Sequence, residues 1–207
     1  AEASKQAPTW TEESCRNWFK TFVNFDLEEK DCINFEGLEK FCEDIGISVQ
    51  GFEVLVLCFK LNCKRMGFIE ESEFLDGMRS LKCWETAQLK PLLQQLSLQI
   101  LHDQKTFNEF FKWCFDFTKE SDQRTIGIDI SIEMFKVIFQ LDAATLNNKK
   151  SNTSASNNPH IKKFIEFLQY KQKEEGLKAL NRDQWNSFVE FSAQIDKNCS
   201  NYDYQGS

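Results

Sequence analysis

Apolar residues recur along most of this chain at the three- and four-residue spacing of an amphipathic helix, and this periodicity is its strongest structural constraint. Trp18 and Phe22 fall on one helical face, and Phe107, Phe111 and Cys114 fall on another. The 20 phenylalanines can fill a large core, whereas 8 glycines and 3 prolines are few for the many turns of an all-β chain of 207 residues. We therefore predict an all-α, multi-helix fold.

The periodic segments predict about nine helices. Thr9 and Glu12 form a capping box before the first, and Asn181 begins a late helix in a second capping box ahead of Trp185. Residues 52–61 are apolar on nearly every side, so they could be a strand when taken alone, but their length and neighbours favour a buried helix. The other predicted helices cover 37–45, 71–81, 86–100, 107–119, 131–141 and 161–170.

A polar insertion interrupts this pattern at residues 147–158. Its sequence, Asn-Asn-Lys-Lys-Ser-Asn-Thr-Ser-Ala-Ser-Asn-Asn, has low complexity and contains only Ala155 as an apolar residue. Such a segment cannot bury enough apolar area to offset the entropy of ordering it. We predict a flexible insertion, which is also a candidate boundary between two helical lobes.

The eight cysteines predict small core residues rather than a metal site or a disulfide framework. No two of them have Cys-x-x-Cys spacing, and the chain has only two histidines, His102 and His160. Most cysteines stand between apolar neighbours, as Cys58 does between Leu57 and Phe59. We interpret them as reduced thiols packed in the core, and we expect both histidines at the surface.

Charge and hydropathy argue against two classes of partner. The formal net charge of −7 disfavours nucleic acid, whose phosphates need a basic face, and is compatible with a basic protein partner. No stretch approaches the roughly 20 apolar residues of a membrane helix. The first ten residues lack the basic-then-apolar layout of a signal peptide. We expect a soluble protein of the cytoplasm and nucleus.

Short helices flanking polar turns raise one alternative, a calcium sensor or buffer of the EF-hand class. In that loop of about 12 residues, the first, third and fifth positions supply oxygen ligands, the sixth is glycine and the last is a bidentate glutamate. Residues 62–73 place Gly67 and Glu73 at the sixth and last positions. Lys64 and Met66, however, occupy the third and fifth positions, where a lysine would repel the ion.

The earlier turn, residues 26–37, departs further from the calcium pattern. Lys30 occupies the fifth position, and Gly37 stands where the bidentate glutamate belongs. We therefore predict EF-hand-like helix pairs without bound calcium, and no metal site.

No arrangement of residues in the sequence predicts catalysis. The chain has no phosphate-binding loop, no dinucleotide fingerprint and no nucleophile elbow. A cysteine nucleophile needs a nearby base, and neither His102 nor His160 stands in a recognisable catalytic setting. We predict neither an enzyme nor a cofactor, and these patterns alone indicate an acidic helical interaction module.

Several collinear phrases resemble the defective-in-cullin-neddylation (Dcn-like) family. They are Gly37-Leu-Glu-Lys-Phe-Cys-Glu-Asp-Ile-Gly46, Val54-Leu-Val-Leu-Cys-Phe-Lys60, Glu73-Phe-Leu-Asp-Gly-Met78, Phe115-Asp-Phe-Thr-Lys119, Asn181-Arg-Asp-Gln-Trp185 and Ser200-Asn-Tyr-Asp203. The resemblance runs from about Trp18 to Ser207 and implies a potentiating-neddylation domain over residues 11–207, after an N-terminal tail of residues 1–10. Relatives continue with a Trp-Pro-rich segment and one more helix, so we expect the domain to be truncated at its C-terminus.

The resemblance implies a non-catalytic co-ligase. Members of the family hold the N-terminally acetylated tail of a neddylation conjugating enzyme in a hydrophobic pocket. A second surface holds the winged-helix domain at the cullin C-terminus, and a RING protein completes the assembly through the cullin complex. The co-ligase contributes proximity and orientation rather than a reacting group.

Site residues follow from the resemblance by position. Asp183 would face the cullin, together with Ser207 at a position where relatives carry a small residue. Met134 occupies a position that is often tyrosine in relatives, so the tail pocket stays apolar and loses a hydroxyl. The ten residues implied to line that pocket are Leu38, Val54, Leu57, Cys58, Leu61, Cys63, Ile69, Phe117, Met134 and Val137.

Overall fold

The structure, a computed structural model, describes residues 11–23, 31–141 and 158–203, which form two compact units divided between His102 and Asp103. Nine helices and four short strands lie in these residues, which confirms the all-α prediction. Four predicted features lie wholly or partly outside the described residues. They are the tail at 1–10, residues 26–30 of the turn at 26–37, the insertion except Asn158, and Ser207.

The first unit consists of two helix–loop–helix pairs joined by a two-residue antiparallel sheet, with one further helix. Ile33 lies opposite Ile69, and Cys32 lies opposite Glu70. Each strand leads into the second helix of its pair, and the last helix packs against the second and third. The elements are α1 (Glu12–Lys20), β1 (Cys32–Ile33), α2 (Phe35–Ile45), α3 (Phe52–Lys60), β2 (Ile69–Glu70), α4 (Glu71–Leu81) and α5 (Thr86–His102).

The second unit repeats this order of helix, strand and helix. Ile126 lies opposite Leu180 in its antiparallel sheet. The elements are α6 (Gln104–Thr118), β3 (Thr125–Gly127), α7 (Ile128–Ile138), α8 (Ile161–Glu175), β4 (Ala179–Asn181) and α9 (Arg182–Gln194). Helices α7 and α8 pack together, as do α6 and α9.

The predicted lobe boundary at 147–158 is wrong. The units divide between His102 and Asp103, and the helices on either side of the insertion, α7 and α8, pack in the same unit. Low complexity in the sequence therefore did not mark a division between the two units. Segment 52–61, by contrast, is the predicted buried helix, since α3 covers Phe52–Lys60.

The capping box predicted at Thr9 and Glu12 is also wrong, because the first helix is capped by Thr11. The Thr11 hydroxyl accepts the Ser14 N–H at 3.1 Å, and Ser14 Oγ accepts the Thr11 N–H at 3.3 Å. The box therefore uses two hydroxyls in place of a hydroxyl and a carboxylate. At the other end of the chain the prediction is confirmed, since Asn181 caps α9 and Gln184 completes its box.

Each unit has its own aromatic core, which accounts for the phenylalanine content. In the first unit Phe74 is fully buried and packs edge-on against Trp18 at a centroid distance of 5.1 Å. In the second unit Trp185 is fully buried, stacks on Phe135 at 4.4 Å and donates its indole N–H to the Phe111 carbonyl at 3.0 Å. That hydrogen bond satisfies the one polar group of the indole.

The cysteine interpretation is confirmed, and the histidine expectation holds for only one of the two. Seven cysteines are buried, Cys199 is partly exposed, and none is bridged. His102 is exposed. His160, however, is only 4% exposed, with Nε2 at 3.0 Å from the Ile195 carbonyl oxygen and its ring edge-on to Phe191. The His160 ring thus links the residue before α8 to the end of α9.

The loop at 62–73 is closed by hydrogen bonds from its own backbone to the side chain of Glu73. The two carboxylate oxygens of Glu73 accept the N–H groups of Lys64 and Glu70, both at 3.0 Å. A calcium ion in an EF-hand would take both of these oxygens. Gly67 has a φ of 84°, which is left-handed backbone, so the glycine at the sixth position keeps its conformational role.

Gly37, at the last position of the turn 26–37, allows a close approach that a side chain would prevent. A Cβ there would overlap the Phe22 carbonyl oxygen and lie 3.0 Å from Ile33 Cγ2. Helix α2 therefore begins against the backbone that follows α1.

We expect Gly37→Ala to destabilise the protein by about 2 kcal/mol, because the added methyl must displace backbone. Alanine is otherwise the better helix former, so a helical glycine without this contact would gain stability. Gly127→Ala, at the N-cap of α7 and outside any helix, controls for the loss of a glycine alone, since nothing lies within 4 Å of its added Cβ. Urea unfolding measures both variants, and equal stability of the two would contradict the packing role of Gly37.

We expect Glu73→Ala to lower the free energy of unfolding by about 1–3 kcal/mol, because the Lys64 and Glu70 N–H groups lose their acceptors. Glu39→Ala, an exposed helix position of the same unit, is the control. Thermal unfolding with and without calcium tests the ion-free prediction in the same series. A calcium-dependent rise in the Tm of the unsubstituted protein, absent in Glu73→Ala, would show that the carboxylate is a calcium ligand.

Candidate functional site

Seven of the ten residues implied for the tail pocket lie in the first unit, and all seven are core residues. None is more than 6% exposed. They are Leu38 on α2; Val54, Leu57 and Cys58 on α3; Leu61 and Cys63 after it; and Ile69 in β2. Helical periodicity assigned several of these positions to the core, and the resemblance assigned them to a pocket. The two assignments fall on the same side chains.

The end of α3 brings two of these residues together. The Cys63 N–H donates to the Cys58 carbonyl at 2.9 Å, the Asn62 N–H donates to the Phe59 carbonyl at 3.1 Å, and Asn62 has a φ of 56°. This is a Schellman motif, which places the side chains flanking it in contact. Gly77 completes the packing, since a Cβ there would lie 2.9 Å from Leu61 Cα.

Two thiols at this group, those of Cys42 and Cys63, have raised pKa values. Burial raises the pKa of the Cys42 thiol to about 12. A hydrogen bond with Cys58, followed by burial, raises the pKa of Cys63. The charge of Glu73 acts in the same direction on Cys63. None of the seven residues is acidic, so a buried cation among them would have no carboxylate partner within the group.

The other three implied pocket residues lie in the second unit. Phe117 on α6 is buried and stacks on Trp113 at 4.5 Å. Met134 and Val137 share α7, where Met134 is buried and Val137 is partly exposed. Met134 contributes an apolar thioether to the inward face of α7.

Asp183, the implied cullin contact, is exposed at the second position of α9. An acid in the first turn is also what a helix dipole favours, so its position alone does not identify a contact. The neighbouring Arg182 turns away to form a bidentate pair with Asp116, whose Oδ2 lies 2.7 Å from Nη1. Among the described residues, no ion pair engages the Asp183 carboxylate.

A groove that sequence reasoning missed adjoins Asp183. It lies between α8 and α9, is closed by the turn at 176–181 and has a volume of about 830 Å³. Its lining mixes apolar side chains with charges of both signs. The apolar ones are Phe164, Phe167, Leu168, Leu177 and Leu180, and the charged ones are Lys171, Glu175, Lys178 and Asp183. A signal was present in α8, because Ile161, Ile165 and Leu168 already fill one helical face and Phe167 adds a ring outside it.

Two further classes of site find no support in the described ranges 11–23, 31–141 and 158–203. No three His, Cys, Asp or Glu side chains there are grouped to hold a metal ion. No helix there has both the length and the apolar composition to cross a bilayer.

Comparison with known proteins agrees with the resemblance found in the sequence. The family model described as cullin binding matches residues 88–207. The chain is 31% identical to DCN1-like protein 4 of Drosophila melanogaster over 197 residues, which are 95% of this chain and 71% of that protein. It is 33% identical to DCN1-like protein 4 of Homo sapiens over 192 residues, or 93% of this chain and 58% of that protein.

A third relative, DCN1-like protein 5 of Mus musculus, is 30% identical over 197 residues, covering 95% of this chain and 73% of the relative. The chain thus spans between 58% and 73% of the length of these relatives. Because similarity extends over nearly the whole chain and the family model covers the entire second unit, the chain belongs to the DCN1-like, cullin-binding family.

Proposed function

We propose that this protein is a non-catalytic co-ligase for cullin neddylation, acting in the cytoplasm and nucleus. Membership of the DCN1-like family is the observation that carries the proposal. The co-ligase binds the N-terminally acetylated tail of a neddylation conjugating enzyme and the winged-helix domain of a cullin. A RING protein joins through the cullin complex.

The outward face of α9 supports cullin binding because it is acidic. Asp183 and Glu190 are both exposed and lie two helical turns apart on one face. The neighbouring Arg182 is paired with Asp116, and Lys178 lines the same groove as Asp183. A basic patch on the winged-helix domain would meet these two exposed carboxylates, which favours both encounter and orientation.

The chemistry of the first-unit residues supports recognition of an acetylated tail. A free amino terminus is charged, and its burial among these uncharged side chains would be costly. Acetylation removes that charge, adds apolar area and leaves an amide N–H that a backbone carbonyl can accept. Because the seven residues are buried, the tail must displace core contacts, so the ease of that opening also sets the affinity.

The cysteines support a role without covalent chemistry. The pKa of Cys42 is raised to about 12 and that of Cys83 to about 11, in both cases first by burial. Little thiolate exists at neutral pH under such conditions, and the thiolate is the nucleophile. These two thiols are therefore poor acceptors of the modifier, which is in keeping with direct transfer from the conjugating enzyme to the cullin while the co-ligase holds both.

We expect an acetylated tail peptide of a neddylation conjugating enzyme to bind at least tenfold more tightly than the unacetylated peptide, which corresponds to about 1.4 kcal/mol. Val54→Asp should abolish binding, and Leu98→Asp should not, since Leu98 is 57% exposed on α5 of the same unit. Isothermal calorimetry measures the affinities, and circular dichroism confirms folding. Equal affinity for the two peptides with a folded protein would show that the seven residues are core alone.

We expect Asp183→Asn to weaken binding of an isolated cullin winged-helix domain several-fold and to reduce the salt dependence of that binding, because an ion pair is lost. Asp122→Asn, at an exposed turn of the same unit, is the matched control. Calorimetry at two salt concentrations measures both variants. Identical affinities and salt slopes for the two variants would show that Asp183 does not contact the cullin domain.

A further inference from the structure

A pair of buried thiols lies at the end of α3. Cys58 and Cys63 are 3% and 2% exposed, and neither is bridged. They stand at the two ends of the Schellman motif that ends α3, where side chains commonly make an apolar contact. Here the contact joins two sulfurs, since the two thiols hydrogen bond to each other. The left-handed backbone of Asn62 holds them side by side, and this proximity is what an intramolecular disulfide requires.

Only a short turn separates these thiols from solvent. Asn62 and Lys64, the neighbours of Cys63 in the chain, are both exposed. Two backbone hydrogen bonds close the turn, from the Asn62 N–H to the Phe59 carbonyl and from the Cys63 N–H to the Cys58 carbonyl. Loss of these two bonds is a local opening, which costs less free energy than unfolding the whole unit. A small oxidant can therefore reach the sulfurs of a folded protein.

Glu73 supplies a proton acceptor beside the pair. Its carboxylate lies within hydrogen-bonding distance of the Cys63 thiol and is anchored by the N–H groups of Lys64 and Glu70. The hydrogen bond with Cys58, followed by burial, raises the pKa of Cys63, so this cysteine stays a thiol in the closed turn. Opening the turn removes both effects. Reaction with an oxidant is thus confined to the opened turn.

We propose that Cys58 and Cys63 form a redox-sensitive dithiol, which hydrogen peroxide oxidises to an intramolecular disulfide, and that this disulfide weakens binding of the conjugating-enzyme tail. The disulfide is independent of the proposed function, whereas its effect on binding rests on that function. Both cysteines belong to the seven implied first-unit contacts, which are buried, so an entering tail must displace them. A covalent bond between two of these side chains opposes that displacement and disfavours the binding-competent state.

The reaction balances with one molecule of hydrogen peroxide. In the opened turn Cys63 gives its proton to Glu73, and its sulfur attacks one peroxide oxygen. The O–O bond breaks, which leaves a sulfenic acid on Cys63 and a hydroxide ion that takes the proton from Glu73 to become water. The Cys58 sulfur then attacks the sulfenic sulfur, and the hydroxyl group leaves with the Cys58 proton as a second water. The two thiols lose two electrons, and the peroxide gains them.

Peptide mapping tests the disulfide directly. Folded protein is treated with hydrogen peroxide, alkylated under denaturing conditions and digested with trypsin, which cuts after Lys60, between the two cysteines. We expect peptide 61–64 to be disulfide-linked to peptide 41–60, which also contains Cys42. The linkage should persist in Cys42→Ala and disappear in Cys58→Ala. Absence of the linkage in the unsubstituted protein, or its survival in Cys58→Ala, overturns the proposal.

Calorimetry with the acetylated tail peptide tests the effect on binding. We expect the peroxide-treated protein to bind at least tenfold more weakly than the reduced protein, and dithiothreitol to restore the affinity. In Cys58→Ala, peroxide treatment should not change the affinity of that variant, whatever its starting value. Circular dichroism compares the two redox forms, and loss of helical signal on oxidation would overturn the effect on binding, since affinity would then be lost through unfolding.

The two experiments separate this inference from the proposed function. Disulfide formation with unchanged tail affinity overturns the effect on binding and leaves the co-ligase function intact. No tail binding by the reduced protein overturns the tail-binding function together with that effect, whereas the linked peptides alone decide whether the dithiol exists.

Discussion

Two short antiparallel strand pairings hold the helix pairs together, and both proposed binding surfaces depend on them. Ile33 and Ile69 meet in the first unit, Ile126 and Leu180 meet in the second, and all four are buried. Sheets of two or three residues have little stability alone, so burial between helices must maintain them. Ile69 is one of the implied tail contacts, and Leu180 lies in the groove three residues before Asp183. Each pairing therefore fixes the backbone on which its surface is built.

The loops that carry these strands are organised by protein groups where an EF-hand would use a cation. Glu73 closes one loop by accepting two backbone N–H groups. Asn34 caps α2, which follows β1, and Asn181 caps α9, which follows β4; each side chain accepts a backbone N–H at 2.9 Å. These hydrogen bonds fix the geometry of the loops without a bound ion. Such a geometry suits a scaffold that positions two partners, whereas a calcium sensor needs two states separated by ion binding.

Helical periodicity predicted the helices because each has a buried face several turns long, and the phenylalanine-rich faces of α6 and α9 illustrate this. It could not predict the strands, since two or three residues are too few to show alternation. His160 was expected at the surface because a polar segment precedes it, yet its ring is buried through a hydrogen bond to Ile195, 35 residues later in the chain. Contacts between residues so far apart leave no local pattern.

The candidate site was predictable only in part, for a related reason. Leu57 and Ile69 are apolar whether they serve a core or a pocket, so only similarity to a family suggested the second role. Phe167 would be assigned to the core by hydrophobicity, but it lies outside the face of α8 that carries Ile161, Ile165 and Leu168 and is 48% exposed. Asp183 was assigned by similarity as well. The sequence could not predict that Arg182, its neighbour, pairs with Asp116 and leaves Asp183 without an ion pair in the described residues.

A co-ligase accelerates transfer by raising the effective concentration of one partner beside the other, which can be worth several orders of magnitude without a reacting group. The most direct measurement is the single-turnover rate of modifier transfer from a charged, N-terminally acetylated conjugating enzyme to a cullin–RING complex, with and without this protein. We expect the rate to rise with protein concentration to a plateau, and to fall again when free acetylated tail peptide is added. An unchanged rate, or modifier trapped as a thioester on one of the cysteines of this chain, would contradict the co-ligase role.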